Sequence, residues 1–362
     1  MMNLSLTNDT FVKPLEQMCY KFKARGNAMN MREKILEESK STQEENALVA
    51  RICWHYFKEG QTQDVIARHL NITRKKVNRI LGEARTSGFV QIILPQAVAV
   101  RNDLENILTA KYGLSRVIVV PAPIEGDDVR VMVGSAAGQY VSENLPPSGT
   151  LGISWGGTIH TAAQNFLPRS TGGDRVVLLC GGLAESTSIN PYDNAASVAR
   201  ALDAKCFYIT APMFASSEML RDALVACEPV KSVLSMAGQL DMALLSAIDL
   251  SDQSKALEYG VIDEPSRLSL IEAGAVGDIC GHYLDAEGKT VKHPLAQRVI
   301  NPSIADLKKT GQLVLAAGGI YKYAIILAAI RAGLCHVLIC DENVAKALST
   351  EKSQLQPGQT AL

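Results

Sequence analysis

From residue 113 onward the chain repeats one pattern. Short runs that are apolar on every position end in glycine, proline or a polar residue, and each is followed by a stretch with helical periodicity. VIVVPAP, TLGISWG, RVVLLCGG, CFYITAP, DMALLSAI, QLVLAAGG and HVLIC are such runs. DDVRVMVGSAAGQYVSENL, GTIHTAAQNF, the stretch near Asn194–Leu202 and KYAIILAAIRAG are the helical partners. A strand that is apolar on both faces is covered on both faces, and strands alternating with helices build a parallel sheet. The fold class expected is therefore α/β, with a mostly parallel sheet.

The first hundred residues have a different texture. Residues 1–44 are polar and carry no sustained periodicity, which reads as a flexible extension. From Ala47 the apolar Leu48, Val49, Ile52 and Tyr56 recur at helical spacing, and Gly60 ends that helix. Thr62 caps a short second helix and Thr73 a third, reaching about Ser87. FVQIIL at 89–94 alternates like a strand, so the unit is expected to be winged-helix-like. The divisions follow: helix-turn-helix at 45–95, a linker helix at 96–112, an effector domain at 113–350 and a tail at 351–362.

QDVIARHLNITRKKVNRI, from Gln63 to Ile80, has the spacing of a helix-turn-helix. Small Ala67 lets two helices cross closely, and Asn71 can take the left-handed turn conformation. Val65, Ile66, Leu70, Ile72, Val77, Ile80 and Leu81 are the expected core. Thr73, Arg74, Lys75, Lys76, Asn78 and Arg79 then share the polar face of the third helix. Arginine and lysine neutralise phosphates or reach guanine, and asparagine reads adenine. The whole chain has a net charge of only -1, but residues 45–95 carry eight basic groups against four acidic ones, a net +4. Double-stranded DNA is the expected partner; the competing reading is a solvated charged helix.

Other classes are excluded by what is missing. The 8 cysteines are scattered without a CxxC pair and mostly sit in apolar runs, as reduced, buried thiols do. The first residues lack the apolar stretch of a signal peptide, and Lys322 and Arg331 interrupt the most apolar segment. A cytoplasmic protein without a membrane span is expected. The 6 histidines show no metal-ligand spacing, and neither a GxSxG elbow nor a phosphate-binding GxxxxGK[ST] loop occurs. No catalytic set, metal or cofactor is implied.

Three loops of the larger domain carry chemistry. In LGISWGGTIH a strand ends at Ser154 and Thr158 begins a helix. Such a turn offers backbone N–H groups and a positive helix end to an anion, or is simply a joint. In GAVGDICGHYLDAEG, Asp278 lies among small and apolar residues, so it needs a partner: a ligand hydroxyl, a backbone N–H or a helix end to cap. In LVLAAGGIYKYAIILAAIRAG, Lys322 follows Gly318 and Gly319, placed to meet a phosphate or to snorkel to water.

Taken together, VARICWHYFKEGQTQDVIARHLNITRKKVNRIL, LGISWGGTI, AVGDICGHYLDAEG and AAGGIYKYAIILAAIRAGLCHVLICDENVAKAL resemble the SorC family of sugar-responsive bacterial transcription regulators. The resemblance runs from about Ala47 to Leu348. It implies an N-terminal helix-turn-helix and an effector domain of the fold shared with phosphosugar isomerases. It also implies a homodimer or homotetramer on operator DNA, modulated by a small sugar, polyol or sugar phosphate. By motif, Ser154, Trp155, Gly156, Gly157 and Thr158 would form the cradle. Asp278 would accept ligand hydroxyls, Lys322 would meet a phosphate or polar head, and Asn194 would sit at the rim. The chain departs from the family at LLSAIDL, which lacks the glycines many relatives carry so that Ser246 reshapes the pocket, at Cys340, where threonine is common, and in its longer 44-residue extension. The competing reading is an isomerase-like enzyme using Asp278 as base.

Overall fold

The computed structural model describes residues 45–351, apart from 88, 91–95, 125–127, 169–171 and 186–189. The chain divides after Pro95 into two compact units. The extension read at 1–44 and nearly all of the tail lie outside the described residues, as does most of the strand read at 89–94.

In the first unit, helix α1 (45–53) runs into a π-helical turn, Trp54–Lys58, and ends at Gly60 with φ +67°. Helices α2 (Gln63–His69) and α3 (Arg74–Thr86) follow. The Thr62 side chain accepts the Val65 N–H, and Thr73 Oγ1 accepts the Lys76 N–H, so each helix has its cap. Asn71 stands in the left-handed region at φ +52° between them. Ile52, Ile66, Ala67, Val77, Ile80 and Leu81 form the core. Val65 does not join them: it is 39% exposed, because the buried stripe of α2 runs through Ile66 and Ala67 instead. Only glycine adopts the Asn71 conformation more easily, so Asn71→Gly is expected to hold stability within a few tenths of a kcal/mol. Asn71→Val should cost about 1–2 kcal/mol. Hydrogen exchange of the α2 and α3 amides measures both.

The second unit begins with helix α4 (Gln96–Tyr112), read from the sequence as a linker; its Leu104 and Leu108 are buried in the core of the sheet. The order then runs β1 (Arg116–Val120), α5 (Val129–Asn144), β2 (Thr150–Ile153), α6 (Gly157–Gln164) and β3 (Arg175–Leu178). Next come α7 (Pro191–Ala201), β4 (Lys205–Phe207), α8 (Glu218–Ala226), α9 (Glu228–Met236) and β5 (Met242–Asp249). After α10 (Lys255–Glu258) and α11 (Glu264–Glu272), the short strands β6 (Gly277–Ile279) and β7 (His282–Leu284) form a hairpin. The chain closes through α12 (Ile304–Leu307), β8 (Gln312–Ala316), α13 (Tyr323–Arg331), β9 (Val337–Asp341) and α14 (Glu342–Thr350).

The sheet order is β1-β9-β8-β5-β2-β3-β4, and every pair along it is parallel. Consecutive side chains of the central strands go to opposite faces. Val314 and Ala316 join one core with α5, α6 and α7, while Leu313 and Leu315 join the other with α4, α13 and α14. That double coverage is why the strands read as continuous apolar runs. From β2 the chain builds outward through β3 and β4; from β5 it builds the other way through β8 and β9. The order reverses between β2 and β5. In such sheets ligands bind at the carboxyl ends of the strands beside that reversal.

Candidate effector site

The residues after β2 stand at this reversal. Ser154 is fully buried; its hydroxyl accepts the Ser246 N–H at 3.0 Å, and Ser246 Oγ donates to the Trp155 carbonyl at 2.5 Å. These two bonds pin the β2 end to β5, so Ser154 shapes the cradle. Gly156 turns at φ +114°, which a side chain resists. Gly157 opens α6, whose first turn has no side-chain cap. Its first N–H groups are thus left for a ligand or water. Thr158 is buried in that turn.

Asp278 is carried by the β6–β7 hairpin. The hairpin turns on Cys280 and Gly281, both with positive φ, as a two-residue turn between twisted strands requires. Asn301 Nδ2 donates to the Cys280 carbonyl at 2.8 Å and holds the turn. Asp278 pairs in register with Ile248 near the end of β5 and is 2% exposed. Among the described residues neither of its oxygens has a partner at full hydrogen-bond geometry, and nor has the buried indole N–H of Trp155; the Gly281 N–H and that indole are the donors turned toward the carboxyl. Burial pushes the Asp278 carboxyl up to about 7, against a smaller opposing pull from the Gly281 backbone and the Trp155 indole. A donor and an acceptor thus face the same space, which suits a hydroxyl that both gives and takes a hydrogen bond.

Lys322 lies in the turn Ile320–Lys322 between β8 and α13 and is 7% exposed. Among the described residues its ammonium makes no hydrogen bond or ion pair; only the Tyr321 ring lies below it, at 5.9 Å. Burial brings Lys322 down to about 8, with Asp249 opposing and Arg130 assisting the fall. The turn is fastened by the buried Asp341, which accepts the Gly319 N–H at 2.6 Å.

Asn194 is placed elsewhere than the rim. It is 1% exposed on α7, and its Oδ1 meets His160 Nδ1 of α6 at 3.0 Å. It ties two helices together. Arg130, which the sequence reading missed, reaches from α5 over Gly157, and its charge is felt by Lys322. A cavity of about 670 Å³ lies at the end of β3 between Tyr192 and Tyr208. Among the described residues none of the expected ones lines it and it holds no charged group, so the site is marked by its unsatisfied polar atoms instead.

Among the described residues of the first unit, Thr73, Arg74, Lys75, Lys76, Asn78 and Arg79 are all exposed on α3. Lys75 and Lys76 are unpaired there. Arg79 is held by Glu83 at 2.7 Å and Arg74 by Asp64 at 3.5 Å, while Asn78 Oδ1 accepts from Gln63 at 3.4 Å.

A small basic helical unit joined to an α/β unit with unsatisfied polar groups at its strand ends defines a class, the ligand-responsive transcription regulators. Residues 97–349 match the family model described as "Putative sugar-binding domain". The deoxyribonucleoside regulator of Bacillus subtilis (strain 168) is 29% identical over 297 residues, covering 81% of this chain and 94% of that protein. The erythritol catabolism regulatory protein EryD of Brucella abortus (strain 2308) is 28% identical over 309 residues, covering 84% and 96%. The full-length sorbitol operon regulator SorC of Klebsiella pneumoniae shares the fold, with a TM-score of 0.64 at 23% identity over 85% of this chain and all of that one. The chain belongs to the SorC family of sugar-responsive bacterial transcription regulators. Its relatives are regulators, not enzymes.

Proposed function

We propose that this chain is a cytoplasmic, homodimeric or homotetrameric regulator of a carbohydrate or polyol catabolic operon. It binds operator DNA through α3 and releases or grips it according to a small sugar, polyol or sugar phosphate. Relatives named for erythritol catabolism, the sorbitol operon and deoxyribonucleosides support that effector class. The absence of any described helix long and apolar enough to cross a membrane is compatible with it. The observation that carries the reading is the set of orphaned buried groups, Asp278 and the Trp155 N–H, beside the buried Lys322. A protein interior tolerates such groups where a ligand satisfies them.

The control follows from linkage. Effector must bind two states of the protein unequally, and its grip on the turns at Gly156, Asp278 and Lys322 selects one of them. That selection changes subunit packing and with it the spacing of paired α3 helices. Titration onto DNA from upstream of the chain's own gene, followed by fluorescence anisotropy at fixed salt, tests this with a panel of sugars, polyols and their phosphates. Specific binding that one compound shifts is the expected result. Absence of specific binding would refute the reading.

The same titration ranks the contacts. Lys75→Ala is expected to weaken binding about 10-fold or more and to reduce the salt slope by about 1. Arg79→Ala should cost less, because Arg79 must first give up its bidentate partner Glu83. Equal losses would place Arg79 directly on the DNA.

A further inference from the structure

Two neighbouring residues of α2 reach across to α3. Gln63, the half-buried first residue of α2, donates from Nε2 to Oδ1 of the exposed Asn78 at 3.4 Å, although the two stand 15 residues apart in the chain. Asp64 meets Arg74 at 3.5 Å. Arg74 and Asn78 are one helical turn apart, so they share the row of α3 that lies toward α2. Val77, Ile80, Leu81 and Ala84 of α3 face the core. Lys75 and Lys76 make no hydrogen bond or ion pair through their side chains among the described residues, and Arg79 is taken by Glu83.

The amide pair does not build the unit. Ile66, Ala67, Val77 and Ile80 already pack the two helices together, and the Ile72 N–H donates to the Ala67 carbonyl at 2.9 Å in the turn between them. An exposed side-chain pair adds little to that. What it changes is the orientation of Asn78. An asparagine amide presents one acceptor oxygen and two donor hydrogens, and turning it end for end exchanges them. Turned so, Nδ2 would face Gln63 Nε2, donor against donor. With Gln63 in place, Oδ1 keeps one lone pair and Nδ2 both its hydrogens, side by side in one plane. In the major groove adenine alone offers the match, the N6 donor beside the N7 acceptor, whereas guanine offers two acceptors. A free side chain loses rotamer freedom on binding, and a side chain already held loses less.

We infer that Gln63 is a specificity-determining residue, which acts from α2 by positioning the Asn78 amide to read an adenine of the operator. The inference rests on the reading of α3 as the DNA-contacting helix and narrows it. The positioned amide reads a base, and the untethered Lys75 and Lys76 meet phosphates, which fix the register without reading sequence.

The test selects duplexes from a pool with a randomised centre, using the full-length chain, and scores base preference position by position. Asn78→Ala is expected to flatten one adenine preference. Gln63→Met keeps the length of the side chain without a donor, and is expected to weaken the same preference about fivefold or more. Its unfolding midpoint and the salt slope of its binding should match wild type, since it loses no core contact and no phosphate-neutralising charge. The variant carrying both changes should be no worse than Asn78→Ala alone, the mark of a residue that acts through its partner. Gln63→Ala gives the same readings should methionine disturb the packing. A Gln63→Met protein with its adenine preference intact, or with a different position flattened, overturns the inference. So do losses that multiply in the double variant. A wild type that selects no sequence refutes the regulator reading and the inference with it, whereas the other failures leave that reading standing.

Discussion

Asp278→Asn is expected to make the ligand-free protein more stable at pH 8 while removing its response to effector. The carboxyl ionises near 3.8 in an unfolded chain and near 7 in the folded one, because burial disfavours its charge. Below pH 4 both forms are protonated and the residue costs nothing extra. Between pH 4 and 7 the unfolded chain gives up the proton and the folded chain retains it, so stability falls as pH rises. Above pH 7 the full penalty is present, about 4 kcal/mol for a shift of this size. Asparagine carries no such charge. The variant should therefore gain up to about 4 kcal/mol at pH 8 and match wild type near pH 4. Urea unfolding followed by tryptophan fluorescence of the Trp54→Phe protein, which leaves Trp155 as the one indole, reads the difference at the two pH values. Effector affinity should fall about 10- to 100-fold with the loss of a charged acceptor. A stability gain equal at both pH values would show that the buried charge is not the cause.

A buried carboxyl of this kind shows what sort of feature a linear sequence reveals. Asp278 was conspicuous because a carboxylate among GAVGDICGHYL has no local partner. Its setting was not legible: β6 and β7 are three residues each, too short for a periodicity, and their turn needs a cysteine at φ +53°. The parallel strands announced themselves because burial on both faces leaves no polar position within them. The helix pair α8 and α9 passed unread, since α8 buries none of its side chains fully and α9 only Val230. Arg130, inside DDVRVMVGSAAG, looks like any solvated helix cation. Its place beside the start of α6 emerges only where α5 lies against α6 and Gly157 leaves room for the guanidinium. Asn194 illustrates the converse, a polar residue well placed in sequence that the structure spends on His160.

Asp341→Ala is expected to lower stability by about 3–4 kcal/mol and to weaken effector binding without touching the effector. The residue ends β9 and caps α14, where Oδ1 accepts the Asn343 N–H at 2.9 Å and the Val344 N–H at 3.3 Å. Its Oδ2 accepts the Gly319 N–H at 2.6 Å, and the side chain is fully buried. Alanine removes the cap, worth about 1–2 kcal/mol, and strands a buried Gly319 N–H, worth about 1–3 kcal/mol more. Gly319 holds φ +94° three residues before Lys322, so freeing it loosens the turn that presents the ammonium to the site. Asp341→Asn separates the two roles. Its amide oxygen can still cap α14, but its NH₂ then confronts the Gly319 N–H, two donors face to face. Asparagine is thus expected to retain most of the stability of α14, read by hydrogen exchange of its first-turn amides, and still to lose effector affinity. If Asp341→Asn bound effector as wild type does, the Gly319–Lys322 turn would be held by its own packing, and Asp341 would matter to the fold alone.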